Sequence, residues 1–392
     1  MKHRQSLAMP AIYLLACLPQ AACTSLPQPS LTSMAQAVDA PAFDSLPRQL
    51  REAIVASQTA LRPQSPSHDA EVIRQRGPIF ADGDTLTFSY RGLADSVSSC
   101  CVIRQSLQQL APDLWAGSVR IRGLQQARLD ISLLPQINGQ AQTTTTLQWR
   151  GPETSADPLA ADPLRGRLSL YRLASTALAA ERNVRVYEPP GPHTGPLPVV
   201  YLTDAEWLLP PLAALVEPLI LQGQLPPVLL VGVDAASPKA GADPRGEEYL
   251  WSRHSPQYAR HAEFFVKELS LWAEQELAAS PLPADRVVAG VSNGASFAAS
   301  ISSQHPRHFG YALVLSSGVL PPSPLPVGRE APAYYLYAGR LEPEFFTQTA
   351  ALAHLLGINQ VRLKWVDGVS GHQLAAWLPA LVEGLRWALA QR

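Results

Sequence analysis

The sequence predicts an α/β protein: a mainly parallel sheet with helices on both faces, preceded by an N-terminal β-sandwich. Three observations predict it. From Asn183 onward, short apolar strand-like runs alternate with helical stretches, the pattern of a parallel sheet covered on both faces. From about Glu71 to Leu173, short alternating segments are separated by turn signals instead, as in a sandwich. The 392 residues, 46% of them hydrophobic, suffice for two domains and a sizeable core. The composition also excludes function classes. Charged residues make up only 16%, and 31 Lys+Arg against 32 Asp+Glu leave a net charge of -1, which speaks against a broad basic surface for nucleic acid. No apolar run reaches the ~20 residues of a membrane span. Four cysteines are too few for a disulfide scaffold.

The elements follow in chain order. Lys2, His3 and Arg4 precede an apolar stretch from Leu7 to about Leu18, and small residues lead to Cys23 in the string QAAC. A basic start, a short apolar run and a small-residue site read as an export signal over residues 1–22, of bacterial lipoprotein type, with Cys23 as the lipidated first residue. Gln20 stands where an aliphatic residue is usual, and Cys17 in LLAC fits that position better but shortens the apolar run. Plain cleavage to a soluble periplasmic protein is the alternative. Residues 23–45, rich in Pro, Ser, Gln and Ala, read as a flexible tether. An N-terminal domain is expected over 46–180. It opens with a helix, since Leu46, Leu50, Ile54 and Leu61 roughly share one face. Its strands include Thr85–Tyr90, Leu114–Ile121, Ala127–Ile131 and Thr143–Trp149. Cys100 and Cys101 fall within it and are expected as one buried and one exposed thiol, because neighbouring side chains on a strand point to opposite faces. The α/β domain is expected over 181–392, with strands at 184–188, 198–202, 227–233, 286–289, 311–316, 333–337 and 361–366.

The chemistry concentrates where strand Arg286–Ala289 runs into Gly290-Val291-Ser292-Asn293-Gly294. G-x-S-x-G between a strand and a helix is a nucleophile elbow: the turn is sharp, the glycines let backbone approach closely, and the Ser292 hydroxyl stands at the tip. The helix beginning at Asn293 adds its positive end, and the Asn293 N–H points where an oxyanion forms. A serine at neutral pH needs a base, and in the α/β-hydrolase fold the order is Ser, acid, His. His372 follows the last strand-like run in a Gly-rich loop; His305 and His308 lie too near the elbow, and His354 sits in an apolar helical run. The acid is expected at Glu342, with Glu344 second and Asp367 third. The second oxyanion donor is expected at Ala205 in Leu202-Thr203-Asp204-Ala205-Glu206-Trp207, with Trp207 lining the pocket or joining the core.

Over roughly residues 184–391 these segments resemble the esterase family that includes enterochelin (enterobactin) esterases and antigen-85-type proteins. YLTDAEW, LPPVLLVGVDA, RGEEYL, RVVAGVSNGASFA, HPRHFGYALVLSSG, GRLEPEF and VDGVSGHQLAAW match its motifs in order. DTLTFSYRG, DLWAGSVRI and the DPL strings at Asp157 and Asp162 are similar, more loosely, to the N-terminal domain of enterochelin esterases. The resemblance implies a serine esterase with Ser292 as nucleophile, His372 as base and Glu342 as acid. It places Arg245 and Glu248 on a motif that shapes the substrate pocket. Ala205 and Ala295 replace family glycines, and Val369 and Ser370 are extra in the histidine loop. The implied substrate is the ester backbone of a catecholate siderophore, an enterobactin-like trilactone, in ferric or iron-free form. Ferric catecholates are strongly anionic, and the segment 245–261 supplies Arg245, Arg253, His254, Arg260 and His261, while Trp207, Tyr249 and Trp251 offer rings for stacking. A general carboxylesterase, or an acyltransferase of the cell envelope, fits the same scaffold. A non-enzymatic siderophore-binding lipoprotein fits less well, because Ser292, His372, Gly290 and Gly294 are all present. The expected location is periplasmic, on a lipid anchor. No cofactor, metal, nucleic acid or protein partner is expected.

Overall fold

The computed structural model describes residues 5–6, 41–238 and 240–390. Apart from residues 5–6, the expected export signal lies outside the described residues, as do Cys23 and the tether up to residue 40. Nine strands form the larger sheet, the two-residue strand Gln5–Ser6 and β1 (Arg167–Ser175), β2 (Ala180–Glu188), β3 (Val199–Leu202), β4 (Leu229–Val233), β5 (Arg286–Val291), β6 (Tyr311–Leu315), β7 (Ala333–Gly339) and β8 (Leu363–Gly368). Their order in space is β1-β2-β4-β3-β5-β6-β7-β8, and Gln5–Ser6 pairs with the outer edge of β1. β1, β2 and β4 pair antiparallel; from β4 through β3 to β8 every pairing is parallel.

The side chains of these strands explain the layering. β3, β4 and β5 are buried along their whole length, as a parallel sheet covered on both faces requires. Alternate residues point to opposite faces. Val199, Tyr201, Val288, Val314 and Tyr334 pack with Phe264, Phe297 and Leu352 from the helices Pro256–Glu263 to Ser270–Leu277, Asn293–Gln304 and Pro343–Ile358. Val200, Leu202, Val287, Leu313 and Tyr335 pack with Leu208, Leu212, Trp377 and Leu381 from the helices Ala205–Leu221 and Leu374–Leu389.

Before β1 lie two five-stranded antiparallel sheets. One is ordered Leu61–Gln64, Leu114–Ile121, Thr85–Arg91, Ile79–Asp82, with Gln108–Ala111 also on Leu114–Ile121. The other is ordered Gln140–Ala141, Arg128–Ile137, Ser96–Cys100, Gln105–Ser106, with Thr145–Arg150 on Arg128–Ile137. Leu86, Phe88 and Val119 of the first share a core with Val97, Leu129 and Ile131 of the second.

Three expectations change. Residues 167–175, expected within the N-terminal domain and not read as a strand, form β1, which pairs along its whole length with β2 and belongs to the larger sheet. The boundary therefore falls before Arg167, in the Pro-rich stretch after Arg150. The leading helix, Arg48–Gln58, sends Ile54 not into the antiparallel sheets but onto Ala338, Phe346 and Ala350 of the larger unit. Cys100 and Cys101 are joined to each other as a disulfide rather than standing as separate thiols. Among the described residues, no helix is long and apolar enough to cross a membrane.

Candidate active site

The parallel strands deliver their following loops to one edge, the carboxyl end of the sheet, where α/β proteins place their sites. Ser292 follows β5, Glu342 follows β7 and His372 follows β8. The elbow is as tight as its glycines suggest. Ser292 has φ 57° and ψ −127°, a strained conformation that costs of the order of 1–3 kcal/mol and must be held by its surroundings. A Cβ on Gly290 would overlap the Gly294 carbonyl, and one on Gly294 would overlap Thr203 Oγ1.

The structure brings three of the expected residues into one chain. His372 Nε2 lies 2.8 Å from Ser292 Oγ, and His372 Nδ1 lies 2.6 Å from Glu342 Oε2. Glu342 is 4% exposed. Its other oxygen accepts hydrogen bonds from Ser316 Oγ and from the Gly339 N–H, each at 2.6 Å. The competing carboxylates are elsewhere. Asp367 takes both arms of Arg340, at 3.1 and 2.9 Å, and Glu344 is exposed. The imidazole is packed as well as bonded. Phe345 stacks on it at 4.0 Å between ring centroids, and Trp377 meets it edge-on at 4.6 Å. Trp377 Nε1 in turn donates to Ser316 Oγ. Ser316, Phe345 and Trp377 lie within the matched strings HPRHFGYALVLSSG, GRLEPEF and VDGVSGHQLAAW but were given no role there; their contacts with His372 and Glu342 reveal it.

Asn293 and Ala205 each open a helix at this edge, and no acceptor takes either backbone N–H among the described residues. Two unclaimed donors at helix starts are what an oxyanion needs. The Ala205 methyl, where a glycine was the family expectation, fits because Gly232 on β4 faces it without a side chain.

The expected substrate contacts fare differently. Arg245 gives Nε and Nη2 to the fully buried Asp204, at 2.6 and 2.9 Å. Arg253 pairs with Asp243 at 2.8 Å. Glu248 is 5% exposed and pairs inward with Arg182, so it is a structural ion pair and not a pocket group. Tyr249 is fully buried and has no free face for stacking. His261 is fully buried too, and burial pushes its pKa down to about 3, so it supplies no cation. Trp251 donates to the Leu320 carbonyl at 2.7 Å. Trp207 lies partly buried against the core. For Arg245, Glu248 and Trp251 the reason is a partner far away in sequence, in Asp204, Arg182 and Leu320; for Tyr249 and His261 it is burial.

A family model described as "Putative esterase" matches residues 175–373, just over half of the chain. The chain belongs to this family, and it is an esterase of the α/β-hydrolase type. Among solved structures it is similar to the enterochelin esterase of Shigella flexneri, at 18% identity and a TM-score of 0.60, covering 81% of this chain and 97% of that one. The enterobactin esterase of the same organism, solved in the presence of enterobactin, matches at 18% identity and a TM-score of 0.65, covering 82% and 99%. The ferric enterobactin esterase of Salmonella typhimurium matches at 16% identity and a TM-score of 0.62, covering 79% and 95%. No curated protein matches the sequence.

Proposed function

We propose that this esterase works through Ser292, His372 and Glu342. The observation that carries the reading is the unbroken chain from Ser292 Oγ through the imidazole to a buried carboxylate, at 2.8 and 2.6 Å. His372 takes the proton as Ser292 attacks an ester carbonyl. The oxyanion settles on the Asn293 and Ala205 N–H groups. The imidazolium, held by Glu342, returns the proton to the leaving alcohol, and water then releases the acyl group by the same steps.

The substrate we propose is the ester backbone of an enterobactin-like trilactone. Enterobactin is what one of the similar structures was solved with, and the sequence resemblance points the same way. The charge pattern favours the iron-free form. Arg182, Arg185, Arg245 and Arg253 each have a carboxylate partner, in Glu248, Asp234, Asp204 and Asp243. Of the arginines expected to meet the substrate, these pairs leave only the exposed Arg260 without a carboxylate among the described residues, which is little positive charge to balance a ferric catecholate. We also propose export by residues 1–22 and a lipid anchor at Cys23, which would place the site in the periplasm. The two-sheet unit before β1 reads as the β-sandwich of the same architecture.

The test is hydrolysis of iron-free and ferric enterobactin, followed by chromatography, beside Ser292→Ala. Stepwise appearance of linear trimer, dimer and monomer, lost in the variant and faster with the iron-free form, supports the reading. Ser292-dependent cleavage of simple aryl esters without turnover of either siderophore form would move the assignment to a general carboxylesterase.

A further inference from the structure

Catalysis by a Ser–His pair needs the imidazole held to a fraction of an ångström, yet His372 stands on an irregular loop between β8 and the helix Leu374–Leu389. That loop carries the extra residues Val369 and Ser370, and the structure shows what they meet. Val369 is 5% exposed and packs in the core of the antiparallel sheets, with Leu86, Phe88 and Ile131. Its carbonyl accepts the Arg128 N–H at 3.0 Å. On the other side of His372, the Gln373 side chain is 8% exposed. Its Oε1 accepts the Asp130 N–H at 3.0 Å, and its Nε2 donates to the Arg128 carbonyl at 2.7 Å.

These three bonds fall on one stretch of the strand Arg128–Ile137. Its partner Ser96–Cys100 covers only residues 132–136, which leaves 128–130 without a strand on that side. The histidine loop fills the gap. Backbone groups on an open strand edge require partners when buried, so the two elements satisfy each other. Gly371, next to His372, lies so close to Val102 that a Cβ there would clash with both Val102 methyl groups.

We propose that Gln373 is a positioning residue for the esterase reaction: with Val369 it fastens the His372 loop to the strand Arg128–Ile137, so that the antiparallel sheets hold the imidazole between Ser292 and Glu342. The proposal rests on the reading of His372 as the base. It assigns the N-terminal unit a part in catalysis that does not require it to touch the substrate.

The experiment measures turnover of an uncharged aryl ester by the full chain, with active sites counted by a fluorophosphonate, for wild type, Gln373→Met and Val369→Ala. Methionine keeps much of the bulk of glutamine but none of its hydrogen bonds. Each variant is expected to lose kcat by ~10–100-fold, the scale of a misplaced catalytic group, with KM within about twofold. The rate of Ser292 phosphonylation, which needs the same base, should fall in parallel. A lowered unfolding temperature with kcat per titrated site within twofold of wild type, in both variants, would overturn the proposal and leave a structural contact only. Ser292→Ala is run alongside: if it retains turnover, the serine mechanism fails instead, which is a distinguishable result.

Discussion

A carboxylate becomes the partner of a catalytic histidine by what its neighbours leave it free to do. Glu342 ranked ahead of Glu344 and Asp367 by its place in the loop after the strand; the structure separates the three because Arg340 takes Asp367 and Glu344 faces solvent, while Glu342 is buried with one oxygen on His372. Ser292 and His372 were legible because sharp-turn glycines and the position after the last strand are local signals. The acid was legible only as a ranking led by Glu342, because its identity depends on a pairing that no spacing encodes. Glu342→Gln should therefore lower kcat by ~10²–10⁴-fold with little change in KM, the range for a lost triad acid, whereas Asp367→Asn and Glu344→Gln should stay within a few-fold of wild type. Steady-state kinetics on a chromogenic ester decides it; a large loss in Asp367→Asn with none in Glu342→Gln would reverse the assignment.

At the scale of elements, the sequence placed most strands well and missed one at the boundary between the two units. Leu114–Ile121 has the bounds read from alternation. Arg167–Ser175 was counted with the N-terminal domain and yet joins the larger sheet, because local sequence does not report which sheet a segment pairs with. The elbow makes a direct prediction. A methyl at Gly290 would meet the backbone of Gly294, which cannot move without shifting the helix that follows. Gly290→Ala should cost ~1–3 kcal/mol, the usual scale of overpacking, and should lower kcat in the folded fraction, as thermal unfolding and active-site titration would show. The helix Pro256–Glu263 makes another. Burial holds the pKa of His261 at about 3 against an ordinary 6.5, and Glu248 at 3.6 Å with Arg182 beyond it are the charged groups beside it. Between these two values the unfolded chain binds a proton that the folded one refuses. Stability is therefore lost as pH falls from about 6.5 towards 3, by up to ~1.4 kcal/mol per pH unit. His261→Leu should flatten that part of the curve of unfolding temperature against pH; an unchanged slope would show that His261 is not its source.

Across the whole molecule, the two units meet at the chemistry. Leu341 of the acid loop and Val369 of the histidine loop both pack in the core of the antiparallel sheets, and the leading helix Arg48–Gln58 packs beside β7 and the helix after Glu342. Motifs revealed the hydrolase half residue by residue; they said nothing of this contact, because it is made by residues more than two hundred positions apart. The same limit governs the substrate. Cations read from the segment 245–261 promised an anionic ligand, and carboxylates outside it neutralise two of them, Arg245 at Asp204 and Arg253 at Asp243. A higher kcat/KM is therefore expected for iron-free than for ferric enterobactin, with a difference that changes little between low and high salt; a ferric preference that weakens steeply with salt would mean that free cations steer the substrate. The most direct test of the central claim is to quench the enzyme during turnover of a slow aryl ester and map the modified peptide by mass spectrometry. An acyl group is expected on Ser292, formed far more slowly in His372→Ala and absent in Ser292→Ala. Turnover with no acylated Ser292, or an acyl group on another residue, would contradict it.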